Sequence, residues 1–152
     1  MAGQSKSGPR HLSTLEEDVF VSLWRTADLL ARRLELVLKS ADISPTQYNV
    51  LRILRGAPDG LPCGEIGNRM ISRDPDITRL LDRLDKRGLI SRTREKKDRR
   101  MILTRITALG LKLLEGLDEP VTDIHKQQLG HLGRERLKAL VELLANAQEH
   151  AG

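Results

Sequence analysis

The side chains best suited to chemistry crowd the middle of the chain. Thr78, Arg79, Arg83 and Lys86 fall in DPDITRLLDRLDKRG, residues 74–88, with Arg73 just before it. Arg94, Lys96, Lys97, Arg99 and Arg100 fall in REKKDRR, residues 94–100. Guanidinium and ammonium groups at this density break no bonds; they hold anions. Arginine offers a planar donor fork that matches a phosphate or the O6/N7 edge of guanine, and lysine adds a mobile point charge. Residues 69–105 carry 13 Lys/Arg against 6 Asp/Glu, a net +7 on a chain whose total is +5. A compact positive segment on a slightly acidic body fits a polyanion partner, nucleic acid first. Composition alone equally fits a solvated basic face.

Catalytic and metal chemistry find no comparable cluster. None of His11, His125, His131 and His150 has another His or a Cys at zinc-ligand spacing. His125 and His131 are poorly spaced for one helix face, which leaves only a zinc shared across a dimer. No Gly-rich phosphate loop or nucleophile elbow occurs. The acidic groups LEED and LDEP read as dipole-complementing or solvated residues. No catalytic residue, metal ligand or cofactor is therefore assigned, and no enzyme activity is expected. Cys63 is the single cysteine, so no internal disulfide forms and a reducing compartment fits. At a helix start its thiol can be acidified, although a small buried filler is the commoner use of such a residue.

Aromatic residues make up 2% of the chain, namely Phe20, Trp24 and Tyr48. They are too few for a base-stacking platform, and the core must be built from Leu, Ile and Val. No apolar run reaches bilayer-spanning length, and the first residues carry no signal-peptide pattern. Residues 1–13 are expected to form a flexible arm, and the protein to be cytoplasmic with no membrane partner.

The elements that must present the cations follow from the pattern. In residues 74–88, Asp74 suits an N-cap, Pro75 a first helical position, Asp76 the first turn and Gly88 a stop. Ile77, Leu80, Leu81 and Leu84 form one buried stripe. The opposite side holds Pro75, Arg79, Asp82 and Lys86, flanked by Thr78 and Arg83. Such a helix suits a major groove, its early residues reaching bases and its later cations phosphates. The alternative is a surface helix stabilised by pairs such as Asp82 with Lys86. LISRTR and MILTRI predict two strands around EKKDRR, hence a hairpin. An ion pair of Asp98 with Arg100 is expected to brace its turn, leaving the other cations for a minor groove or phosphates. An ordinary charged hairpin tip is the alternative there.

Around this centre lie further helices. Residues 14–39 repeat apolar positions at Val19, Leu23, Ala27, Leu30, Leu34 and Leu38. Leu15, Phe20, Trp24, Leu29 and Val37 widen that stripe beyond one core contact, which suggests packing against a second chain. Ser44 and Pro45 start a second helix, GAPDGLP breaks the chain, and residues 64–70 give a short third helix. From Thr107 the pattern is helical again, with Pro120 expected to kink or interrupt it. A last helix runs over about residues 133–149. The fold class is mainly α with a small β-hairpin wing (α+β). It is a winged helix-turn-helix at residues 43–106 inside a single domain, 14–152, whose outer helices span 14–39 and 107–150.

ISPTQYNVLRIL, DITRLLDRLDKRGLISR, KDRRMILTRITALG and the leucine-rich tail together resemble the MarR family of bacterial transcriptional regulators. The resemblance covers about residues 15–148. It implies a homodimer formed by the outer helices, binding a pseudo-palindromic site on double-stranded DNA, usually as a repressor. A small aromatic or phenolic effector, held between the dimer region and the DNA lobe, would release it. By position, the recognition helix is residues 73–86, with Arg73, Pro75, Asp76, Thr78, Arg79, Arg83 and Lys86 facing DNA. Arg94, Lys96, Lys97, Arg99 and Arg100 are the wing contacts, braced by Asp98. Trp24 and Tyr48 are candidates for the effector pocket, or plain core aromatics. One branch of the family senses peroxide through a cysteine near the start of its first helix, and this chain has none there. Two other readings stay open: a sequence-indifferent architectural DNA binder, and a protein-interaction regulator that does not touch DNA.

Overall fold

The computed structural model describes residues 13–152. The expected N-terminal arm therefore lies outside the described residues, apart from Ser13. The chain forms two compact units, Met1–Arg32 and Arg33–Gly152. Helix α1, Leu15–Lys39, begins in the first and ends in the second. In the first unit, Thr14 Oγ1 accepts from the Glu17 N–H at 3.1 Å, which caps α1. Glu16, Glu17 and Asp18 in the opening turn suit the positive end of its dipole. The Phe20 and Trp24 rings meet edge to face at 5.6 Å.

In the second unit, α1 is followed by α2 (Pro45–Arg55), β1 (Leu61–Pro62), α3 (Cys63–Arg69) and α4 (Ile77–Lys86). Then come β2 (Ile90–Arg94), β3 (Ile102–Ile106), α5 (Ala108–Leu129), a 3-10 turn (Gly130–Leu132) and α6 (Arg134–Ala151). Ser44 caps α2 through a full capping box with Gln47, and Pro45 is its first residue, as the sequence indicates. The three strands pair antiparallel in the order β1-β3-β2, with Ile90 opposite Ile106 and Arg94 opposite Ile102. Strand β1 was hidden in the sequence by the Gly- and Pro-rich break. Its two residues pair with Thr104 and Leu103, which Pro62 tolerates at a sheet edge. The core of this unit is aliphatic. Leu38, Val50, Leu51, Leu54, Ile66, Leu84 and Leu114 are fully buried.

Of the kink or interruption expected at Pro120, the interruption does not occur: helix α5 runs through it. Its apolar side, with Leu114, Leu117, Val121 and Ile124 buried, holds both halves on one support, and this packing outweighs the missing N–H donor. The start of α5 is tied to the end of α4. Thr107 Oγ1 accepts from the Gly110 N–H at 3.1 Å and donates to the Gly88 carbonyl at 2.6 Å. No helix of the described residues is long and apolar enough to cross a membrane.

Candidate nucleic-acid interface

Helix α4 is the centre of the site. Its N-cap is Asp76, whose carboxylate accepts from the Arg79 N–H at 3.4 Å. The cap thus lies two residues later than Asp74, the residue expected there. Asp74 instead accepts from the Asp76 N–H at 2.8 Å, so an Asx turn precedes the helix and takes up Pro75. Arg73 also lies before the helix, where its guanidinium donates to Asn68 of α3 at 3.2 Å. At the other end, the Leu89 N–H bonds the Leu84 carbonyl and the Gly88 N–H that of Asp85. This is a Schellman stop, and it needs the positive φ of 71° that Gly88 supplies.

At 100° per residue, α4 has four sides. Leu80, Leu81 and Leu84 face the core. Asp82 and Asp85 lie on the flank toward the wing, where Arg92 of β2 reaches both, at 2.8 Å and 2.9 Å. Arg83 and Arg87 lie on the opposite flank. There the Arg87 guanidinium donates to the backbone carbonyls of Asp42 and Ala41 in the turn between α1 and α2. The outward ridge presents Arg79 and Lys86, with Thr78 and Arg83 to either side, all exposed. Arg79 makes only a loose, exposed pair with Asp76 at 3.6 Å. The expected Asp82–Lys86 pair is absent. A guanidinium from the adjacent strand satisfies two carboxylates at once, whereas a lysine on the same helix would order a long chain for one.

The wing is a hairpin held by its own polar groups. The Glu95 N–H bonds the Met101 carbonyl at 2.9 Å, and the Met101 N–H bonds that of Asp98 at 3.0 Å. Asp98 does brace the turn, but not through an ion pair with Arg100. Its carboxylate accepts the Arg100 backbone N–H at 3.0 Å, an Asx-type closure that is local and needs no long side chain to be fixed. Arg94 donates to the Arg99 carbonyl at 3.0 Å. Lys96, Lys97, Arg99 and Arg100 are left exposed at the tip.

Hydrogen bonds donated to Asp85 and then Asp82 hold the Arg92 guanidinium above the ordinary arginine range, against the opposing effect of burial. The role of Arg92 was missed in the sequence, although two aspartates three apart on a flank of α4 asked for a cation. Arg87 was missed too, because its partners are backbone carbonyls, which carry no side-chain signal.

A second feature lies between α2 and its neighbours. A cleft of about 300 Å³ is lined by Leu34, Tyr48, Asn49, Arg52, Ser72 and His125, among others. Tyr48 is 6% exposed, and the Arg52 guanidinium sits over its ring at 5.8 Å. Trp24 belongs to the N-terminal unit, against Phe20.

A short helix, a turn, a solvent-facing basic helix and a basic β-hairpin define a winged helix-turn-helix of the DNA-binding kind. The comparisons narrow the class. The MarR family model matches residues 43–102. A MarR transcription factor from Planctomyces limnophilus is 41% identical, with a TM-score of 0.67, over 90% of this chain and 99% of that one. The transcriptional regulator FarR of Neisseria gonorrhoeae is 30% identical, over 82% of this chain and 85% of that protein. Sco3205 of Streptomyces coelicolor, a MarR family regulator solved in complex with DNA, is 25% identical with a TM-score of 0.81, over 93% and 94% of the two chains. The chain belongs to the MarR family and is a DNA-binding transcriptional regulator.

Proposed function

We propose that this regulator is a homodimeric repressor of a pseudo-palindromic operator, released by a small aromatic or phenolic effector. One observation carries the DNA reading. Helix α4 is fastened on both flanks and leaves a cationic ridge outward, beside a hairpin tip of four exposed cations. A helix already fixed in place leaves only the side chains to order on binding. Arg79 and Thr78 read base edges, Arg83 and Lys86 meet phosphates, and Lys96, Lys97, Arg99 and Arg100 follow the adjoining minor groove or its backbone. Arg73, Pro75 and Asp76 shape the approach to the helix rather than its groove face. Sco3205, a relative of similar fold, was solved in complex with DNA, which supports DNA as the partner.

The homodimer is supported by apolar surface on the outer helices. Leu15, Phe20 and Trp24 on α1 are 75%, 60% and 69% exposed, and Val141 and Leu143 on α6 are 67% and 69%. Surface of this kind, repeated along a helix, belongs in an interface. A dimer would hold two recognition helices about one DNA turn apart. The effector reading rests on the cleft at Tyr48, which pairs an aromatic wall with the Arg52 cation, a match for an acidic or phenolic ring. Binding there would bias the spacing of the two lobes. The protein works by binding alone, in the cytoplasm, where its operator lies.

The test is selection of genomic fragments on the purified protein, followed by a salt titration of the best site against random duplex. An enriched pseudo-palindrome, bound by a dimer about a thousandfold tighter than random DNA, is expected. A steep salt slope with no enriched site would make the protein an architectural DNA binder instead.

A further inference from the structure

We infer a phosphate site beside the recognition helix, formed by Lys39 with Arg83 and Lys86, which takes a DNA backbone phosphate outside the groove and wing contacts. A cleft of about 520 Å³ opens there, between the end of α1, the turn into α2 and the second half of α4. Four cations line it: Lys39, Arg83, Lys86 and Arg87. Their roles divide. Arg87 donates to the Ala41 and Asp42 carbonyls, so it builds the wall and pins a turn in which Asp42 holds a φ of 53°. Lys39, Arg83 and Lys86 make no side-chain hydrogen bond or ion pair among the described residues. Asp42 is the single carboxylate on the wall. A concave surface with this excess of positive charge concentrates anions, and an anion relieves the mutual repulsion of the three cations.

The position selects the anion. Arg83 and Lys86 belong both to the cleft and to the outward side of α4, so the cleft opens alongside the ridge assigned to the groove. A duplex seated on that ridge carries a phosphate strand along its flank, and phosphates are the commonest protein contact on DNA. Lys39 extends the contact to the end of α1, outside the helix-turn-helix and wing. Its flexible ammonium suits a phosphate better than a base edge. The inference rests on the DNA-binding reading, and the same chemistry would also accept a free phosphate; the experiment separates these.

Lys39→Gln and Lys39→Arg are made in the full chain, and their folding is checked by thermal unfolding. Affinity for the best operator and for random duplex is followed across a salt series. Lys39→Gln is expected to weaken both DNAs by the same factor, about three- to tenfold, and to lower the salt slope by about 1.8, that is about 0.9 for each of the two copies in the dimer. Lys39→Arg restores the slope. In parallel, inorganic phosphate is titrated into DNA-free protein at constant ionic strength, and amide shifts are read by NMR. An unchanged salt slope with phosphate shifts confined to Lys39, Arg83 and Lys86 would overturn the DNA assignment and leave a site for a free anion. An unchanged slope without such shifts would overturn the site altogether. If the wild-type protein itself binds no DNA, the regulator reading has failed, and the phosphate titration alone decides whether the cleft holds an anion.

Discussion

Arg92 of the wing strand stands between two carboxylates of the recognition helix, with Nη2 2.8 Å from Asp82 and 2.9 Å from Asp85, and Nε 3.1 Å from Asp85. One side chain thus fixes the wing relative to the helix. It also neutralises two acids that would otherwise face a polyanion. Arg92→Ala is expected to lower stability by about 1 kcal/mol, since the group is partly exposed and screened. It should also weaken operator binding through the freed aspartates. Urea unfolding and DNA titration measure the two effects. The sign of the pH dependence follows from the raised Arg92 value. A folded-state pKa above the unfolded one stabilises at all pH below the ordinary arginine range and loses that effect only as strongly alkaline pH passes through it. Arg92 therefore imposes no slope between about pH 6 and pH 9. A gap between wild type and variant that narrows on raising pH within that window would count against the assignment.

Arg79 and Lys97 separate reading from holding. Arg79 stands on the ridge near the N-terminus of α4, tethered only by a 3.6 Å pair with Asp76. Arg79→Ala is expected to cost about 1–3 kcal/mol on the operator and less on random duplex, so that base preference relaxes. Equal losses on both would make Arg79 a phosphate contact. Lys97, exposed at the wing tip, should behave the other way. Lys97→Ala is expected to weaken all duplexes alike and lower the salt slope by about one for each protomer bound. A slope that does not move removes Lys97 from the interface.

The sequence made legible those parts whose signals are local. Four leucine-type positions at helical spacing defined α4, the Ser44–Pro45 pair marked α2, and alternation with a charged turn gave the hairpin. The residues proposed for DNA came from charge density, from the side of α4 opposite its apolar stripe and from the family resemblance, and the structure exposes Thr78, Arg79, Arg83, Lys86 and the wing cations. What stayed hidden depends on contacts between segments far apart in the chain. Asp82 looked committed to Lys86 because both lie on one helix; the competing Arg92 arrives from a strand. Arg87 grips carbonyls of a turn 45 residues away. Strand β1 was concealed because Gly60 and Pro62 mark a break locally, while its partner β3 lies some forty residues on.

Gly110 tests how tightly the wing is seated on α5. A Cβ there would lie 2.4 Å from the Leu89 carbonyl oxygen and 2.7 Å from Ile106 Cγ1. The first neighbour is backbone immediately before β2, and the second is the last residue of β3. Neither contact is relieved by turning a flexible side chain. Gly110→Ala is thus expected to destabilise by about 1–3 kcal/mol despite the better helix propensity of alanine. Thermal unfolding reads the effect. A variant as stable as the wild type would mean that α5 and the base of the wing move apart freely.

Arg55 and Asp118 provide the corresponding tie between α2 and α5. The pair is bidentate, Nη1 to Oδ2 at 2.9 Å and Nη2 to Oδ1 at 3.0 Å. The hydrogen bonds donated to Asp118 raise the Arg55 pKa in spite of burial. Two parallel bonds fix an angle as well as a distance, so the pair resists rotation of the DNA-binding lobe against α5. Arg55→Ala, Asp118→Ala and the double variant are expected to give a coupling energy of about 0.5–1 kcal/mol in unfolding, with the double variant little worse than either single one. If α5 carries the dimer contact, breaking the pair should also loosen the spacing of the two recognition helices. Operator affinity then falls while affinity for random duplex holds, because a random site imposes no half-site spacing. Additive single effects, or equal losses on both DNAs, would reduce Arg55–Asp118 to a local surface pair with no part in setting that geometry.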